Sequence, residues 1–292
     1  MKPVPFRYLR AASVADAVEA LAAAGGEGKI IAGGQSLMPM MNFRLVRPEI
    51  LVDINAIQDL DRIEEIGDRL RIGALVRHRM TASDALVAEH APVLREAMKS
   101  VAHLTVRNRG TFCGSLCHAD PAAEVPMVAL LLNAEVEIAS SSGGRRLASR
   151  DFIVGPLANA LGCDEMVTAV TIEKLPSGAG WGFAEFSRRH GDFALAALAA
   201  TMRRREGVAH DVRIAVMGLG DTAARMARAE ERIEGSTPDE ASIADAIALI
   251  RADVEPMSDL AASSDYRRHL VGELAGNVLR EAWSRAEERA TA

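Results

Sequence analysis

Ala32-Gly33-Gly34-Gln35-Ser36-Leu37 lies between a short apolar run, residues 29–32, and an apolar-rich stretch, residues 37–45, that stops before Pro48. The pattern predicts strand, glycine turn and helix. Residues 50–54 add a second strand, so the region reads as a βαβ-like unit. Two adjacent glycines let the backbone take φ > 0 and approach a ligand closely. The helix that follows would offer N–H groups to an anion, the usual way a phosphate is held at such a turn. Ser36 adds a hydroxyl. On these residues alone a plain strand-to-helix turn fits as well.

Upstream, Ser13 is a good N-cap with Asp16 in the first turn, which predicts a helix over 14–24 ended by Gly25-Gly26. Downstream, residues 62–66 and 69–73 flank Gly67-Asp68 as a hairpin. Helices are expected at 81–89 and 93–102. A second glycine-bearing loop then runs Arg107-Asn108-Arg109-Gly110-Thr111-Phe112-Cys113-Gly114-Ser115. Residues 124–132 read as a helix, 136–139 and 145–148 as a second hairpin, and 166–173 as a strand. The turn-like stretch 175–180 divides the chain near 176. Beyond it come strands at 182–187, 195–203 and 212–219, then helices at 239–251 and 265–288, an α+β order. A carboxylate at Asp120 or Glu124 could accept hydrogen bonds from ribose hydroxyls. The same residues also suit a helix N-cap and a first-turn acid.

Composition narrows the function. The 292 residues are 49% hydrophobic and 25% charged, as expected of about two soluble domains. A net charge of −6 argues against nucleic acid or an anionic membrane surface. The basic triplet 203–205 reads as a solvated turn. Seven Phe, two Trp and two Tyr are too few for a base-stacking platform. Three cysteines exclude a disulfide scaffold and point to a reducing, cytoplasmic compartment. Residues 1–5 lack the apolar core of a signal peptide, and no apolar run is long enough to span a bilayer. Cys113, Cys117 and His118 depart from the paired spacing of zinc ligands. Three cysteines cannot ligate an all-thiolate iron–sulfur cluster, so no metal is expected on this chain.

Gly218-Leu219-Gly220-Asp221-Thr222-Ala223 fits a dinucleotide fingerprint, with Asp239 and Glu240 about twenty residues on. The fingerprint needs a βαβ unit, but residues 230–234 are charged where its second strand should run, so a nicotinamide site is rejected. No nucleophile elbow, P-loop, zinc helix or paired acid and base is present. No residue is assigned as catalytic, and the chemistry is expected to belong to a bound cofactor.

In order and spacing, these segments resemble the medium, FAD-binding subunits of the molybdenum hydroxylases, the family of carbon monoxide dehydrogenase, quinoline oxidoreductase and the flavin domain of xanthine dehydrogenase. Residues 32–37 match its A-G-G-[QH]-S-L motif. Thr111-Phe112-Cys113-Gly114-Ser115-Leu116-Cys117-His118-Ala119-Asp120-Pro121 matches T-[IL]-G-G-[SN]-x-x-x-x-D-P. Arg189-His190-Gly191-Asp192-Phe193-Ala194 matches a basic-x-G-D-Y-A run. The resemblance covers nearly the whole chain. It implies an α+β fold: a vanillyl-alcohol-oxidase/PCMH-type FAD-binding domain over 1–176, with α+β subdomains of about 1–56 and 57–176 holding FAD between them. A small C-terminal α+β domain of the carbon monoxide dehydrogenase flavoprotein type then covers 177–292.

The resemblance further implies FAD contacts at Ile31, Ala32, Gly33, Gly34, Gln35, Ser36, Leu37, Thr111, Gly114 and Ser115 around the diphosphate. Glu124 takes the place of a carboxylate near the adenosine ribose, and Val101, Met166, Val167 and Phe193 line the flavin. Two positions depart from the family. Cys113 replaces the first glycine of a Gly-Gly pair, where φ > 0 would strain it. Phe193 replaces a tyrosine, keeping the aromatic face without the hydroxyl.

The implied role is electron relay. Molybdopterin on a large subunit hydroxylates a small substrate, with an N-heteroaromatic suggested by Gln35 and by His118-Ala119-Asp120-Pro121. The 2Fe-2S clusters of a small subunit carry the electrons, and FAD on this chain passes them to an external acceptor, in a complex with two copies of each subunit. The competing readings are a stand-alone FAD oxidoreductase, which needs an acid or base over the flavin, and a non-catalytic assembly protein on the same fold.

Overall fold

The computed structural model describes residues 1–289. They form two compact units, each discontinuous in sequence. The first contains Met1–Leu86, His103–Ala119 and Ala134–Glu173, and the second Val87–Ala102, Asp120–Asn133 and Lys174 onward.

In the first unit, Ile50–Asp53 is the middle strand of a parallel sheet, between Arg7–Arg10 and Gly28–Ile31. Ile50, Leu51 and Val52 are all buried, the continuous apolar run of a parallel strand covered on both faces. Arg7–Arg10 is a largely exposed edge without apolar alternation. Only its register with Ile50–Asp53 makes it a strand, and the sequence reading passes over it. Helix Val14–Ala23 opens on the expected Ser13, as a full capping box. Ser13 Oγ accepts the Asp16 N–H at 3.0 Å, and Asp16 Oδ2 accepts the Ser13 N–H at 3.1 Å.

The second sheet of this unit is antiparallel, in the order Ile63–Ile66, Arg69–Gly73, Met166–Glu173, Glu135–Ser140, Gly143–Ala148. Both predicted hairpins are present, joined through Met166–Glu173. Two expectations change. The helix expected at 81–89 is broken into His78–Ser83 and Ala85–His90. Asp84 is extended between them, and its Oδ1 accepts the Leu86 N–H at 2.9 Å. The loop expected at 107–115 is largely helical, as Leu104–Arg107 and Phe112–His118. Thr111 caps the second of these by accepting the Gly114 N–H on Oγ1 at 3.1 Å. Glycine and polar residues signal a loop in sequence, and here the Thr cap overrides them.

In the second unit, Gly180–Phe186, Ala196–Arg205, Val208–Met217 and Ala224–Arg225 form an antiparallel sheet, with Glu288–Arg289 pairing parallel to Ala196–Arg205. Residues 196–202 are entirely buried and mostly alanine. Helices Ser264–Arg285 and Glu124–Leu131 both pack on that strand. Gly180 and Gly182 let Ser264–Arg285 lie close: a Cβ there would stand 1.9 Å from Ala282 O and 2.5 Å from Val278 O.

The last two helices are capped by Asp239 and Ser263, close to the expected starts. Residues 203–205 end a strand and do not form a turn; Arg203 pairs with Asp211 at 3.1 Å and Arg204 lies over Trp283. Helix Ala227–Ile233 is unforeseen, because it buries only Ala229 and Ile233 and shows little apolar period. Val208–Met217 leads through Gly218 to the short strand Ala224–Arg225, so no helix opens on the 218–223 motif. Among the described residues, no helix is long and apolar enough to cross a membrane.

Candidate functional site: two glycine segments in contact

Strand Gly28–Ile31 delivers the chain to Ala32 at the carboxyl end of the parallel sheet, where open α/β sheets place ligands. Gly34 has φ +70°, a conformation that disfavours any side chain. Gly33 is constrained by space: a Cβ there would lie 2.4 Å from Arg109 O and 2.8 Å from Gly110 Cα. The two glycine segments therefore touch backbone to backbone.

The carbonyls of the first segment are committed within the chain. Ala32 O accepts Asn55 Nδ2 at 2.9 Å, Gly33 O accepts Gln35 Nε2 at 3.2 Å, and Gly34 O accepts the Met38 N–H at 3.1 Å. Ser36 precedes helix Leu37–Asn42, and its hydroxyl makes no capping bond. Ile31, Ala32 and Leu37 are half-buried around this turn.

The second segment is held along residues 76–78. Arg77 bridges Thr111, the Phe112 N–H donates to Val76 O at 3.1 Å, and the His78 N–H donates to Gly110 O at 2.9 Å. Thr111 is buried. Gly114 gives its own N–H to Thr111 Oγ1, and a Cβ there would lie 2.5 Å from that oxygen, so its smallness is what the turn requires. Ser115 is half-buried and bonds its N–H to Thr111 O at 3.0 Å. Cys113 is helical without positive φ, so the strain expected of a side chain there does not arise. Burial pushes the Cys113 thiol well up and the Cys117 thiol to about 12, so neither is a ready thiolate.

Three guanidiniums, those of Arg77, Arg107 and Arg109, act on one another or on His78 here, with the carboxylates of Asp53 and Asp61 opposing them at Arg77. Burial, then Arg107 and Arg77, press the His78 imidazole down to about 4. Arg77 is itself held below the usual guanidinium range by burial and by Arg109. Close-packed backbone beside several guanidiniums can hold an anion of two or more charges. A diphosphate fits that description.

The other predicted residues divide between the units. Met166 and Val167 are buried at the start of Met166–Glu173, beside a register shift. Val101, Glu124 and Phe193 belong to the second unit. There Val101 ends helix Pro92–Ser100 and is buried, and Glu124 opens Glu124–Leu131 and is buried. Asp120 is not that helix's cap, which is Ala123; its Oδ1 accepts the Ala122 N–H at 2.9 Å. Phe193 is 71% exposed, on the rim of an open pocket of about 400 Å³ with Arg188, Gly191, Asp192, Leu195 and Ala261.

Sequence reasoning missed Asn55, Arg77 and His78. They carry no glycine or motif signal, and a polar residue after a strand is unremarkable until its partners are known.

Comparison with known proteins gives consistent matches. Residues 4–174 match the FAD binding domain in molybdopterin dehydrogenase, and residues 181–282 the carbon monoxide dehydrogenase flavoprotein C-terminal domain. The chain is 39% identical, over 98% of its length and 100% of the relative's, to the nicotine 6-hydroxylase medium subunit of Paenarthrobacter nicotinovorans. Among solved structures it resembles quinoline 2-oxidoreductase from Pseudomonas putida 86, with TM-score 0.94 and 37% identity over 98% of this chain and 99% of that one. It also resembles carbon monoxide dehydrogenase from Hydrogenophaga pseudoflava lacking the Mo-pyranopterin moiety, with TM-score 0.95 and 33% identity over 98% of this chain and 100% of that one.

Proposed function

The chain belongs to the FAD-binding medium subunits of the molybdenum hydroxylases, and on that premise we propose that it relays electrons from the iron–sulfur clusters of a small partner subunit to an external acceptor. FAD supplies the exchange between one- and two-electron chemistry. The chain's own residues hold it. In this reading residues 31–37 with Thr111, Gly114 and Ser115 surround the diphosphate, and the guanidiniums of Arg77, Arg107 and Arg109 offset its charge. Glu124 meets the adenosine ribose. Val101, Met166 and Val167 line the flavin, and Phe193 gives its edge an aromatic face without a hydroxyl.

The observation that carries this reading is the approach of Gly33 to Arg109 and Gly110, with no room for a side chain between the segments. Two separate turns would not need such an approach; one ligand held by both would.

The large subunit is the molybdenum-bearing partner, with two copies of each of the three subunits and the complex in the cytoplasm. The functional division of this chain falls near 176. For the substrate we favour an N-heteroaromatic compound. Nicotine and quinoline appear in the names of relatives with identities of 39% and 37%, above the 33% of the carbon monoxide dehydrogenase.

The test is flavin content. Acid precipitation of the purified complex should release one FAD per copy of this chain into the supernatant. Gly34→Val should leave a folded, flavin-poor protein, because a side chain at φ +70° costs about 1–3 kcal/mol in strain. A flavin retained in the pellet, FMN in place of FAD, or full occupancy in the variant would each overturn the site.

A further inference from the structure

Two residues outside both glycine motifs tie the motifs together. Asn55 follows strand Ile50–Asp53, and its side chain is oriented by Asp53 Oδ1, which accepts the Asn55 N–H at 2.8 Å and Nδ2 at 2.6 Å. Tyr8 Oη donates to the other Asp53 oxygen. Asn55 Nδ2 also reaches Ala32 O at 2.9 Å, the carbonyl immediately before Gly33. Asn55 Oδ1 accepts Arg77 Nη2 at 2.5 Å, and Arg77 Nη1 donates to Arg109 O at 2.6 Å. Arg109 O is the atom that a Cβ on Gly33 would strike first.

The circuit therefore closes. It runs from Ala32 O through Asn55 and Arg77 to Arg109 O, and returns by backbone contact to Gly33. The main chain of Arg77 is bridged to Thr111, so its guanidinium projects from the second segment toward the support of the first. Every member lies in one compact unit. A guanidinium presents donors in a rigid fork and satisfies two acceptors in fixed geometry; an ammonium in the same place cannot.

We propose that Asn55 and Arg77 are positioning residues that set the spacing between the two glycine segments, and so the affinity for the FAD diphosphate, without touching it. The proposal rests on the FAD reading above. Asn55 governs the first segment through one carbonyl, and Arg77 the second through another. Because they act in series, removing either link opens the same circuit.

The experiment measures FAD binding to the deflavinated complex by fluorescence, with thermal unfolding of the same samples. Arg77→Lys keeps the charge and loses the fork. Asn55→Ala removes the side-chain donor to Ala32 O and the acceptor for Arg77 and adds no charge beside Asp53. Each is expected to weaken FAD at least tenfold while the unfolding temperature of the deflavinated complex stays near that of the wild type. The double variant should be no weaker than the weaker single one, the non-additivity of a shared network. Wild-type affinity in either variant, additive losses in the double variant, or failure of either to fold would overturn the proposal. The last outcome would make the circuit a stability element. Absence of FAD binding by the wild type would instead sink the reading on which the proposal rests.

Discussion

His78, which is buried, and Glu185, which is half-buried, titrate with opposite sign. His78 is 4% exposed, and among the described residues its Nδ1 is buried without a hydrogen-bond partner. Unfolded, it takes a proton below about 6.5; folded, not until about 4. Between those values the unfolded chain binds more protons, so this group makes stability fall as pH falls, by up to about 3 kcal/mol. His78→Gln should flatten the loss of unfolding temperature between pH 7 and pH 4.5. An unchanged slope would count against the buried neutral imidazole. Glu185 behaves inversely. Burial raises its carboxyl from 4.5 to about 7, and Oε2 has no partner among the described residues. In this window the folded state keeps a proton the unfolded state has lost, so the contribution is present at low pH and disappears as pH rises through 7. Glu185→Gln should therefore stabilise the protein at pH 8 and change little at pH 5, read as urea midpoints at the two values.

At the scale of elements, small residues decide which surfaces can meet. Helix Ser264–Arg285 reaches Gly180–Phe186 only because Gly180 and Gly182 lack side chains. Gly182→Ala places a methyl against the Val278 carbonyl, a rigid backbone atom. It should cost about 1–3 kcal/mol in global stability, the range for overpacking, measured by denaturant unfolding. Gly67→Ala is the contrasting control: the glycine has φ +61° but nothing within 4 Å of the added Cβ. It should cost only the local backbone strain of its hairpin. At the other end of the chain, Ser13→Ala removes one half of a reciprocal cap and should lower stability by about 1 kcal/mol. Helix starts with such caps, at Ser13, Asp239 and Ser263, were legible within a residue or two because the signal is local. Arg7–Arg10 was not, because an exposed edge strand is defined by the neighbour it pairs with.

At the scale of the whole molecule, the proposed relay has the flavin of this chain take its electrons from a partner subunit. In stopped flow, substrate is expected to bleach the flavin of the three-subunit complex and leave that of the isolated chain unchanged. Iron, molybdenum and FAD should elute in fixed ratio on size exclusion. Turnover of substrate by the 292-residue chain alone would replace the relay with a self-sufficient oxidoreductase.

The α+β order, the two glycine motifs and the absence of a nicotinamide fingerprint unit followed from the chain read by itself. Each depends on residues within about one element's length: apolar period, cap and turn chemistry. The fate of the second glycine segment did not follow. Gly110, Thr111 and Gly114 look like a loop until Thr111 caps a helix and residues 76–78 pair with the stretch. The spacing of the two segments was beyond sequence altogether. It is set by Asn55 and Arg77, whose bonds to Ala32 O and Arg109 O join residues 23 and 32 positions apart. Backbone carbonyls look alike at every position of a sequence, so only the folded chain determines which of them a given side chain will hold.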